Sequence, residues 1–77
     1  MTVHEFDAGD MSCSEGLPQE FKRRITAIPV GAALAVVTRD PAARDDLPSL
    51  ARLLGHRLRS VEPREDGSVV VTVERAK

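Results

Sequence analysis

The chain has 77 residues, a net charge of -1 from 11 basic and 12 acidic side chains, one cysteine, two phenylalanines and neither tyrosine nor tryptophan. That length sets an expectation of a single domain over residues 1–77, with one small core and chemistry confined to its surface. The balanced charge removes the footprint of a general nucleic-acid binder, and one cysteine forbids an internal disulfide. His4 and His56 are too far apart in the chain to give a zinc spacing with Cys13, so neither metal nor cofactor is expected. Without an apolar leader or a membrane-length apolar run, the sequence reads as soluble and cytoplasmic, with no membrane partner.

Thr2 to Ala8 is predicted to be a strand, with His4, Phe6 and Ala8 on one face and Phe6 as the core anchor. Gly9 and Asp10 turn the chain, and Met11 points back to the core ahead of Ser12-Cys13-Ser14. A helix follows from about Gly16 to Ile28, because Leu17, Phe21, Ile25 and Ile28 recur at helical spacing. Ser14 or Cys13 is expected near its N-cap, Pro18 is tolerable in its first turn, and Pro29 ends it. Gln19, Lys22, Arg23 and Arg24 occupy the outer face, which is either simply solvated or an electropositive docking patch.

Ala32 to Thr38 is a nearly continuous run of small apolar residues and reads as a central strand, parallel to the first because a helix connects them. From Pro41 to Gly55 an irregular turn is expected to lead into a helix capped by Asp46, with Leu47, Leu50, Leu53 and Leu54 on its buried face and Gly55 as its stop. His56 to about Glu62 and Ser68 to Glu74 are the last two strands, a hairpin closed around Asp66-Gly67. The fold class is an α/β (α+β) two-layer sandwich, β-α-β-α-β-β, whose mixed four-stranded sheet carries both helices on one face.

Cys13 is the candidate site. Just ahead of a helix, a thiolate is favoured by unsatisfied N–H groups and the positive end of the helix dipole, which draw its pKa below the model value of about 8.5. Asp10 and Glu15 oppose that effect, so the depression is expected to be modest. The residues alone leave two roles open, a small buried hydrophobe or an exposed nucleophile. His56 is expected to cap carbonyls at the end of the second helix rather than to act as a base on Cys13.

The order of elements and several short motifs resemble the TusA (SirA-like) family of small sulfur carriers. Asp7 at the end of the first strand, Cys13 before the first helix, Asp40-Pro41, Asp46-Leu47-Pro48 and Gly55-His56 fall in the family's order over nearly the whole chain. The chain departs from the pattern where Cys-Pro-x-Pro is replaced by Cys13-Ser14-Glu15-Gly16, and where Asp10 stands in place of the usual Gly. The resemblance implies that Cys13 carries sulfur as a persulfide, received from a cysteine desulfurase or rhodanese and relayed to an acceptor protein. Lys22 and Arg23, with Ser14 and Glu15 beside the thiol, are the candidate docking residues of a monomeric carrier. A non-catalytic protein-interaction module of the same fold is the alternative. RNA binding is disfavoured, since Phe6 and Phe21 alone supply few stacking surfaces.

Overall fold

The computed structural model describes residues 2–9 and 16–77. Its elements are β1 (Val3–Gly9), α1 (Leu17–Ala27), β2 (Ala33–Thr38), α2 (Pro41–Leu53), β3 (Arg57–Pro63) and β4 (Val69–Glu74), in the expected β-α-β-α-β-β order. They form one sheet in the order β1-β2-β4-β3. β1 runs parallel to β2, and β4 pairs antiparallel with both β2 and β3.

Side-chain chemistry accounts for that order. β2 is buried at every position and β4 is built from valines, so both suit the middle of the sheet. β1 and β3 alternate buried or half-buried with exposed residues and carry charges, and β3 ends in Pro63, which suits edges that must not recruit further strands.

One face of the sheet presents Phe6, Ala8, Leu34, Val36, Val71 and Val73 to the helices. α1 answers with Leu17, Phe21, Ile25 and, just past its end, Ile28, while α2 answers with Ala43, Leu47 and Ala51. Leu50, Leu54, Leu58, Val61 and Val69 are half-buried at the margin. Both helices therefore lie on the same side, as the apolar spacing required. His4 shares the register of that face, yet it is exposed beyond the helix cover. On the opposite face Ala33, Ala35 and Val37 are still buried, because small side chains sit between longer cross-strand partners such as Glu5, Asp7, Val70 and Thr72.

α2 differs from the sequence expectation. It begins at Pro41, with Asp40 as N-cap accepting a hydrogen bond from Ala42 N–H at 3.1 Å, so Asp46 and Pro48 lie inside the helix. Asp-Pro is a strong start signal, since the carboxylate satisfies one free donor and proline needs none at N1. The buried stripe is Ala43, Leu47 and Ala51, four residues apart, and at about 3.6 residues per turn Leu53 falls well off that line and is 83% exposed rather than in the core. α1 begins one residue later than expected. Its N-cap is Gly16, in the left-handed region at φ 97, and the expectation of a cap at Ser14 or Cys13 falls on residues outside the described ones.

Phe21 is fully buried between sheet and helices. Phe21→Ala should cost about 3 kcal/mol or more, a large share of the stability of a domain this small. Urea unfolding monitored by circular dichroism should show a clearly lower midpoint, and an unchanged midpoint would mean that this helix face is not packed as described.

Candidate functional site

Two parallel strands with helical connections bring several chain reversals to one end of the sheet. At the carboxyl end of β1, Gly9 carbonyl accepts from Arg39 N–H at 2.9 Å, which ties it to the end of β2. Gly9 N–H in turn donates to Asp7 Oδ1 at 2.9 Å, and this side-chain turn releases the chain from the sheet. α1 starts after β1 and α2 starts directly after β2, so both helix N-termini follow the carboxyl ends of the parallel strands. That is where α/β folds place their chemistry. Cys13 lies in the link between Gly9 and Gly16, together with Asp10, Met11, Ser12, Ser14 and Glu15. These six residues lie outside the described ones, and so do the expectations of an exposed thiol, an inward Met11 and docking through Ser14 and Glu15.

Past the link, α1 is described in full. Its first turn carries Pro18 and Glu20, and Glu20 N–H donates to Gly16 carbonyl at 3.0 Å. Glu20 is the centre of a charge cluster. Arg23 donates to it through Nε at 3.2 Å and Nη2 at 2.5 Å, and Arg24 through Nε at 2.7 Å. Arg24 also lies over the Phe6 ring, 4.0 Å from its centroid. The hydrogen bonds from Arg23, then those from Arg24, hold the Glu20 carboxyl below its ordinary value, and Glu20 holds the Arg23 guanidinium above its own. The basic face expected of Lys22 and Arg23 is thus partly neutralised: both are exposed, but Arg23 is committed to Glu20.

Beside this helix start is a feature that sequence reasoning missed. Pro18, with Asp46, Leu47, Ser49, Leu50 and Leu53 of α2, lines an open, mostly apolar groove of about 320 Å³. The signal available was the spacing of Ala43, Leu47 and Ala51, which sets the buried line of α2 and leaves Leu53 off it, at the groove.

His56 does not cap α2 with its ring. The carbonyls there are met by backbone donors: Leu54 N–H to Leu50 carbonyl, Gly55 N–H to Arg52 carbonyl and His56 N–H to Ala51 carbonyl. The ring instead accepts from Ala76 N–H at its Nδ1, 3.1 Å away. Among the described residues, no group of three or more His, Cys, Asp or Glu is placed to hold a metal ion. Likewise no described helix is long and apolar enough to cross a membrane.

The fold is a small two-layer α/β sandwich, with one cysteine in the chain between β1 and α1. The family model described as Sulfurtransferase TusA matches residues 4–75, and the chain belongs to that family. Membership implies a sulfur-carrier role, served by proteins that donate and accept sulfur. No curated protein matches the chain.

The Glu20 cluster makes a pH-dependent contribution. Because the folded carboxyl titrates below its ordinary value of 4.5, the contribution is fully present above that pH and is lost as pH falls through the lower folded value. Glu20→Gln should therefore flatten the loss of melting temperature between about pH 5 and about pH 3. Superimposable acid limbs for the two proteins would show that the cluster does not persist in solution.

Proposed function

We propose that this protein is a cytoplasmic, monomeric sulfur carrier in which Cys13 receives a sulfane sulfur from a cysteine desulfurase or a rhodanese and relays it to an acceptor protein. The observation that carries the reading is the single cysteine of a chain that belongs to the TusA family, set in the link between β1 and α1. The Cys13 thiolate attacks the outer sulfur of the donor persulfide. The donor S–S bond breaks, its inner sulfur leaves as a thiolate, and Cys13 is left as a persulfide. A nucleophile on the acceptor then takes the outer sulfur and returns Cys13 to the thiolate, so neither transfer needs an external oxidant or reductant.

Three features support it. The chain has no second cysteine to resolve the persulfide as an internal disulfide. The approach to a helix N-terminus favours the thiolate that must attack. Lys22 and Arg23, exposed on α1, leave a partly basic surface for a partner protein next to Ser14 and Glu15 in sequence.

Intact-mass measurement tests the relay. Incubated with a cysteine desulfurase and cysteine, or with a rhodanese and thiosulfate, the protein should gain the mass of one sulfur atom, removable by reductant. Cys13→Ser should gain none while keeping the wild-type fold by circular dichroism. Failure with both donor classes, at a Cys13 that is still alkylated by iodoacetamide, would defeat the relay. Partner binding undiminished by Cys13→Ser would then favour the interaction-module reading.

A further inference from the structure

Beyond β4 the chain continues as Arg75-Ala76-Lys77, and this short tail is tied to three separate parts of the molecule. Its backbone extends the central ladder: Arg75 N–H donates to Ala32 carbonyl at 2.8 Å, and Gly31 N–H donates to Arg75 carbonyl at 2.8 Å. The Arg75 guanidinium crosses to the end of α1, where Nη1 donates to Thr26 carbonyl at 3.0 Å and Ile28 carbonyl at 2.6 Å. These are carbonyls that a helix end leaves without partners, so a residue far away in sequence caps α1. The third tie is Ala76 N–H to His56 Nδ1.

That last bond is the one a proton can cut. His56 is 9% exposed, at the turn between α2 and β3. While Nδ1 accepts from Ala76, the neutral ring carries its proton on Nε2. A proton added at Nδ1 turns the acceptor into a donor facing another donor, and it places a positive charge beside two others. Arg75 precedes the latched amide, and Lys77 follows it with its side chain laid over Gly55, so close that a Cβ there would meet Lys77 Cε at 2.6 Å. Of the remaining charged groups on the elements around the ring, Arg52 in the last turn of α2 and Arg57 at the start of β3 are cationic and exposed. Glu74 of β4 is engaged by Arg59.

We propose that His56 is a proton-operated latch for residues 75–77, and through Arg75 for the C-terminal end of α1: the neutral ring holds the tail and the imidazolium releases it. Burial, then the charge of Arg75, then that of Lys77, hold the His56 ring below its ordinary value of 6.5. The latch is therefore fully closed above that ordinary value, and its contribution is lost as pH falls through the lower folded value. Release leaves β4 paired with β2 and β3 but withdraws the cap from α1, the helix that follows Cys13. A proton then loosens the carrier at the end of α1 opposite to the thiol link.

Amide hydrogen exchange by NMR, read beside the His56 ring carbons, tests the latch in the intact chain. Between about pH 8 and about pH 5 the protection factors of Ala76 and Gly31, corrected for intrinsic exchange, should fall about tenfold with the midpoint of the His56 ring. Those of Val36, Val71 and Val73 should stay level. His56→Asn keeps an acceptor oxygen near the Nδ1 position and removes the titration, so protection of Ala76 should become independent of pH. Ala76 protection that stays flat while the His56 ring titrates would overturn the proposal, and this wild-type result decides even if the variant fails to fold. A fall of the same size and midpoint in folded His56→Asn would overturn it equally.

Discussion

β2 is the strand on which the other elements depend. All six of its residues, Ala33–Thr38, are buried, so its backbone donors and acceptors have no access to water and must be met by strands on both edges. The edge toward β1 is filled in parallel, which forces a crossover and makes α1 cover the sheet. The other edge is filled by β4, the most apolar of the remaining strands, and β3 is pushed to the outside. A parallel β1/β2 pair also gathers the ends of both strands and the starts of both helices at one end of the molecule, and the Cys13 link departs from there.

Most of the motif residues that carry the family resemblance have backbone duties in this fold. Asp7 accepts from Gly9 N–H to turn the chain off β1. Asp40 caps α2, and Pro41 takes the helix position where a missing N–H costs nothing. Gly55 adopts φ 83, a conformation with little penalty only for glycine, and it leaves room for Lys77 to pass. His56 holds Ala76.

Where sequence reasoning went astray, two start signals competed. In α2 both Asp40-Pro41 and Asp46-Leu47-Pro48 read as a cap followed by a proline. The first prevailed because the helix that begins there buries Ala43, Leu47 and Ala51 against the sheet, and that gain offsets a proline placed inside the helix at Pro48. At α1 the polar residues before the helix suggested a side-chain cap. Gly16 instead ends the link in a left-handed turn, and Glu20 N–H finds the Gly16 carbonyl.

Local pattern was enough to determine the six elements, the parallel pairing of β1 with β2, the hairpin of β3 with β4, and the side on which the helices pack. Each follows from period, turn residues or connection length, all of which are near-neighbour properties of the chain. It also marked Cys13, because a single thiol ahead of a helix is visible without coordinates. Only the tertiary structure decided that β4 enters between β2 and β3, that Leu53 faces outward beside Pro18, that Glu20 gathers Arg23 and Arg24 over Phe6, and that Arg75 and His56 tie residues 75–77 to α1 and α2. Contacts across 47 and 20 residues of chain leave no period in the sequence, and they arise only once the sheet has brought the ends of distant elements together.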